Sequence, residues 1–148
     1  MQKAILTIVL LLFTLTVLGG CALGRKEWPQ AVESEDTFKL KIIEGVRQDD
    51  CLTLNVGVTG ATHRLWRASI QYEAVGSGEG EGCEGCPFVP RDAVHFTRDQ
   101  HGFTVQDNHM QLSFCGLTPG TEYRFRVVGK SELPTMPLEY TDVYMSLP

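Results

Sequence analysis

Cys83 and Cys86, three residues apart in Gly-Cys-Glu-Gly-Cys-Pro, are the residues whose type and spacing first suggest chemistry. A Cys-x-x-Cys pair can run thiol–disulfide exchange, usually with its first thiol at a helix N-terminus that stabilises the thiolate. Here the flanks are glycine-rich and carry Glu79, Glu81 and Glu84, and acidic neighbours disfavour a thiolate. Covalent haem attachment needs a histidine directly after the second cysteine, where this chain has Pro87. Zinc could recruit His95 or His101, but the second cysteine pair of a zinc ribbon is missing. The glutamate series also lacks the Asp-x-Asp-x-Asp-Gly order of a calcium loop. His63, His95, His101 and His109 are scattered, with no serine or carboxylate arrangement that reads as a triad. The expectation is a chain with no catalytic residues, no metal site and no diffusible cofactor. A thiol–disulfide oxidoreductase working through Cys83 and Cys86 is the enzymatic alternative.

Cys21 offers a different chemistry, acylation. After Lys3, residues 4–18 are uncharged, a run of 15 residues, whereas a membrane-spanning helix needs about 20. Such a stretch reads as a processing signal rather than a membrane span. It closes on Leu18-Gly19-Gly20-Cys21, which resembles the lipobox of bacterial lipoproteins. In that family the cysteine thiol is diacylated and the cysteine becomes the new N-terminus. The resemblance implies a signal peptide over 1–20, cleavage after Gly20, and diacylglycerol plus an N-acyl chain on Cys21, which would make the lipid bilayer a partner. Ordinary secretory cleavage competes, since Gly19 and Gly20 suit either peptidase. Ala22, where an aspartate would signal retention, resembles lipoproteins released to the outer membrane. The localisation this implies is a lipid anchor, facing the periplasm from the outer membrane if the source is diderm. Each buried CH₂ of the acyl chains contributes about 0.8 kcal/mol, so two or three chains hold firmly.

Without Lys3 the remaining 12 basic residues face 18 acidic ones, a formal charge of −6. This excludes the basic footprint of a nucleic-acid binder and argues against electrostatic adhesion to anionic lipid. Residues 21–36 show neither strand nor helix periodicity and read as a flexible tether containing Trp28. The remaining 37–148 has room for one domain.

From Thr37 the hydrophobic period becomes two. Phe38, Leu40 and Ile42 alternate with lysines, and Leu52, Leu54 and Val56 alternate with Thr53 and Asn55. Trp66, Ala68, Ile70, Tyr72 and Ala74 interleave with Arg67, Ser69, Gln71 and Glu73. Met110, Leu112 and Phe114 follow, then Tyr123, Phe125 and Val127, and a last strand is expected between Leu138 and Leu147. Short strands punctuated by turns, without a sustained helical period, predict an all-β sandwich.

Phe114-Cys115-Gly116-Leu117-Thr118-Pro119-Gly120-Thr121-Glu122-Tyr123-Arg124-Phe125-Arg126-Val127 resembles the E strand, corner and F strand of a fibronectin type III domain. The resemblance implies an immunoglobulin-like sandwich of about seven strands. In it, Leu117 plugs the core, Pro119-Gly120 turns the chain, and Tyr123 folds its hydroxyl onto upstream backbone as a tyrosine corner. It further assigns strand A to 38–42, B to 51–58 and C to 65–75. The chain departs from the family in having Val56 where a tryptophan usually stands near the end of strand B; Trp66 could supply that indole. The segment between C and E, 76–108, is also longer than usual.

Cys51, Cys83, Cys86 and Cys115 allow three pairings. Strands B and E of the implied fold are antiparallel neighbours, which pairs Cys51 with Cys115 on the outer face. Cys83 and Cys86 are then left to close a local disulfide. By the loop-entropy model, a closure of about 65 residues stabilises by roughly 4 kcal/mol. The functional expectation is a membrane-anchored, non-catalytic interaction or structural module of the cell envelope, whose partner is another envelope protein and not nucleic acid. Contact is expected through loops, an exposed sheet edge and above all 83–101, made mobile by its glycine flanks. A carbohydrate-binding sandwich would need Trp28 or Trp66 as an exposed stacking platform, and the alternation places Trp66 inward.

Overall fold

The computed structural model describes residues 35–83, 85–98, 100 and 103–146. Leu18, Gly19, Gly20, Cys21, Trp28 and His101 lie outside them. The strands are β1 (Phe38–Gln48), β2 (Cys51–Gly60), β3 (Leu65–Val75), β4 (Asp92–Thr97), β5 (Phe103–Gln106), β6 (His109–Cys115), β7 (Glu122–Ser131), β8 (Glu139–Tyr140) and β9 (Tyr144–Ser146). They form two antiparallel sheets, one ordered β1-β2-β6-β5 and the other β4-β3-β7-β8, with β9 also on β7. These are the A-B-E-D and C-F-G arrangements of an immunoglobulin-like sandwich, with β4 added beside strand C.

Alternation accounts for the core. Leu52, Leu54, Val56 and Val58 of β2 and Met110 and Leu112 of β6 point inward and are fully buried, as are Ala68, Ile70, Phe125 and Val127 of the facing sheet. Truncating one such leucine to alanine costs about 2–5 kcal/mol. The core has Val56 and no tryptophan at the B-strand position. At one end Tyr72 gathers Phe114, Tyr123 and Phe125, with ring centroids 5.3–6.1 Å away.

Three local features differ from the sequence expectation. Strand A continues beyond Ile42 to Gln48, because a bulge between Ile42 and Glu44 resets its register. Asp49, at a φ of 54°, then turns the chain so that Gln48 pairs with Cys51. The long C-to-E segment holds two strands, whose inward residues are Val94 and Phe96 in β4 and Phe103 and Val105 in β5. A two-residue hairpin, Asp107-Asn108, joins β5 to β6 with both residues left-handed, φ 49° and 64°, which is the dihedral sign a tight hairpin requires. Finally, the last strand is broken. β8 pairs with Val128 and Gly129, β9 pairs with Tyr123 to Phe125, and Thr141 stands between them. Its Oγ1 accepts a bond from the Val127 N–H at 3.0 Å, and its own N–H donates to the Val127 carbonyl at 3.0 Å. One side chain therefore completes the ladder where the strand is interrupted.

The corner between β6 and β7 is closed by Tyr123, whose hydroxyl accepts a hydrogen bond from the Thr118 N–H at 3.2 Å. Leu117 is buried beneath it, and Gly120 turns the chain at a φ of 74°. Arg47 reaches across from β1, its guanidinium 5.3 Å from the Tyr123 ring centroid. It donates to the carbonyls of Thr118, at 2.6 Å, and of Thr121. The corner is thus held by the first strand as well as by its own tyrosine.

Candidate functional site

The outer face of the five-stranded sheet collects the residues best suited to recognition. Register sets its rows: Glu73 opposite Arg124, Gln71 opposite Arg126, Ser69 opposite Val128, and Arg67 opposite Lys130. Ser69 also pairs with His95 of β4, and Val128 with Tyr140 of β8.

In the first row, alternation predicts two solvated side chains, yet Glu73 is 1% and Arg124 7% exposed. Residues 76–83 and 85–91 fold back over them. Gly82 donates to the Ala74 carbonyl at 2.8 Å and accepts from the Gly76 N–H at 3.0 Å. Arg124 Nη2 lies 2.6 Å from Glu73 Oε1, an ion pair that lacks hydrogen-bond angles, and Arg124 Nε is buried with no partner among the described residues. Nη1 donates to the Cys86 carbonyl at 2.6 Å, while Glu73 Oε1 accepts from the Val89 N–H at 3.2 Å. The pair therefore fastens both the cysteine turn and its exit to the sheet. Gly82 is needed for this approach, since a Cβ there would come within 2.8 Å of both Arg124 Nη2 and Glu73 Oε2. The glycine-rich segment expected to be mobile is thus bonded down at its base.

In the second row, Arg126 donates from Nε and Nη2 to Gln71 Oε1, at 3.3 and 2.7 Å. Its guanidinium lies 5.1 Å from the Phe88 ring centroid and 4.8 Å from that of Tyr140. In the third, Ser69 Oγ is 2.7 Å from His95 Nδ1. Among the described residues no carboxylate orients that imidazole. The Ser69–His95 contact reads as a cross-strand polar pair.

At the far end stands Trp66, where the expectation fails. The indole is 47% exposed, because β3 bulges between Leu65 and Arg67. Leu65 takes the core position, fully buried, and Trp66 turns outward. Arg67 and Lys130 each place their cation 5.7 Å from its ring centroid. Period-two alternation cannot reveal a bulge, so the sequence placed Trp66 on the wrong side.

Among the described residues there are two disulfides. Cys51 and Cys115 face each other across β2 and β6 with their Cα atoms 3.9 Å apart, on the outer face of the four-stranded sheet. Cys83 and Cys86 close a local loop, Cα atoms 5.3 Å apart. They stand at an exposed turn, not at a helix N-terminus. His63, His95 and His109 are exposed and lie on separate elements. Among the described residues no three histidine, cysteine or acidic side chains gather as a metal site, and no helix is long and apolar enough to cross a membrane.

No protein-family model and no curated protein matches the chain. Among solved structures it is similar to ChiW, a chitinase from Paenibacillus sp. str. FPU-7 described as a bacterial cell-surface-expressed multi-modular enzyme machinery. The two are 15% identical with a TM-score of 0.46, over 82% of this chain and 9% of that one. The chain therefore spans less than a tenth of that protein's length.

Proposed function

We propose that the protein is a cell-envelope lipoprotein, anchored through acylated Cys21, whose fibronectin type III-like sandwich is a non-catalytic interaction module. The anchoring half of this reading rests on Leu18-Gly19-Gly20-Cys21. The outward-facing Trp66 with its flanking cations carries the interaction half. Tryptophan, tyrosine and arginine are the side chains that most often dominate binding energy at protein interfaces. Here Trp66, Tyr140 and Arg126 share one sheet face. The redox alternative is less well supported, since Cys83 and Cys86 stand at an exposed turn rather than at a helix N-terminus, and Glu81 lies close in sequence to Cys83.

A second reading gains from one observation. Trp66 is exposed and could serve as a stacking platform for a sugar ring, so a carbohydrate-binding sandwich regains the feature it needs.

Photo-crosslinking in intact envelopes tests the interaction reading, with the reactive residue placed at position 66 or, as control, at position 55 on the opposite sheet. Discrete protein adducts from position 66 alone are expected. Adducts from neither position, or equally from both, would remove the assigned face. Retention of Trp66-dependent binding by soluble glycans in affinity electrophoresis would favour the carbohydrate reading. For the anchor, Cys21→Ala should leave the membrane fraction, and full retention there would contradict acylation.

A further inference from the structure

We infer that the outer face of the five-stranded sheet docks an acidic polypeptide segment, a partner chemistry that rests on the interaction reading above. The inference comes from an imbalance of charge. The whole chain carries −5, yet this face presents Arg67, Arg126 and Lys130 with no carboxylate partner among the described residues. Some cations elsewhere do meet acids, Lys39 with Glu139 at 3.4 Å and Arg64 with Asp36 at 2.9 Å and Glu132 at 2.6 Å, while Arg47 is taken up by the Thr118 and Thr121 carbonyls and Arg98 by that of Thr62. The acid in the same rows, Glu73, is buried against Arg124 beneath the folded-back segment and offers nothing to its neighbours.

The three cations without a carboxylate partner among the described residues are held against rings. Trp66 lies beside Arg67 and Lys130, and Arg126 lies between Phe88 and Tyr140. A cation over a ring face gains about 0.5–1 kcal/mol at an exposed site and more when water is removed. Such stacking fixes the long side chains before any partner arrives, reducing the entropy lost on binding. Arg126 gives Nε and Nη2 to Gln71, leaving the Nη1 edge for an incoming acceptor. Carboxylates would meet these edges while the rings exclude water around them, the arrangement in which charge-assisted bonds are strongest. A polyanionic glycan offers the same charge, but the cations here stand beside exposed apolar rings, Trp66 at 47% and Tyr140 at 46%, which suit the apolar side chains that a polypeptide carries among its carboxylates, so the polypeptide is favoured.

The test uses the full chain carrying Trp28→Phe, which leaves Trp66 as the sole tryptophan of the two. Its emission is followed during titration with a short poly-L-glutamate peptide, with alginate as the anionic polysaccharide. Poly-glutamate should perturb the emission at low salt and lose affinity as salt rises. Arg67→Glu with Lys130→Glu should weaken binding at least about tenfold, whereas Lys41→Glu on the other sheet should leave it unchanged. Melting curves confirm that each variant is folded, and Lys130→Gln replaces the double variant if that does not fold. Absence of a poly-glutamate response, equal loss with Lys41→Glu, or a response to alginate alone would overturn the inference. Adducts at position 66 without poly-glutamate binding would discard the acidic partner and leave the interaction face standing. Loss of both would discard the face itself.

Discussion

The two outer faces of the sandwich come from the same alternating pattern yet differ in kind. On the four-stranded sheet β2 and β6 turn mostly uncharged polar residues outward, while β1 adds Lys39, Lys41 and Glu44. Thr53 and Ser113 share a hydrogen bond at 2.6 Å. Asn55, Gln111 and Gln106 line an open groove of about 410 Å³, with Glu44 and Asp107 on its rim. On the five-stranded sheet long cationic and aromatic side chains stand among the outward residues, and part of the face is roofed by residues 76–83 and 85–91. One face is wet throughout, while the other contains a desolvated ion pair beside exposed rings. The position of a polar residue in a strand pattern therefore says which side it faces, but not whether water reaches it.

The sharpest way to break this contrast is the buried pair. Glu73→Ala or Arg124→Ala leaves a desolvated charge alone and should cost about 3–5 kcal/mol, read from the urea midpoint at constant m. A matching change on the wet face, Thr53→Val, should cost no more than about 1 kcal/mol. Equal losses at the two sites would erase the distinction. Next in size, Cys51→Ser and Cys115→Ser should destabilise alike by about 2–4 kcal/mol. Cys83→Ser should cost less, because it closes a loop with a sequence separation of 3 against 64. Limited proteolysis near Gly80 would show whether the ion pair or the small disulfide holds that segment. Faster cutting in Glu73→Ala than in Cys83→Ser is expected.

Smaller effects refine the picture. Tyr123→Phe removes the acceptor for the Thr118 N–H and should cost about 1 kcal/mol; an unaltered thermal transition would mean that the corner bond contributes nothing. Tyr72 gives a pH signature. Burial first, and then the nearby Asp92 charge, pushes its hydroxyl above the ordinary tyrosine range. A raised folded-state value favours the protonated form, so its stabilising contribution is complete below the unfolded value. It is lost as pH rises through the folded one. Tyr72→Phe should flatten the alkaline end of the stability profile, and an unchanged slope there would contradict this assignment.

Much of the frame was legible from residue order alone. Phe38, Leu52, Ile70 and Leu112 announce their strands by period, and the Leu117-to-Tyr123 string marks the corner because each residue has a fixed task there. Strands β4 and β5 left a fainter trace. Val94 with Phe96 and Phe103 with Val105 alternate correctly, but over spans too short to stand apart from a loop. Trp66 was misplaced because a single bulged residue reverses every side assignment before it. The burial of Glu73 and Arg124 had no local signal, since it depends on Val89 and Cys86, which are 16 and 38 residues away from them in sequence. Gly82 was the one available hint, a residue kept small where backbone must approach a side chain closely.

The interrupted final strand limits how these molecules can associate. A long unpaired margin invites a neighbour to zip alongside, and repeated zipping is how cross-β assemblies grow. Among the described residues that border offers three consecutive strand residues at β9 and two at β8, on either side of Thr141. Many copies crowded onto one surface would find no continuous seam along this side to extend, so local density could rise without seeding fibres there.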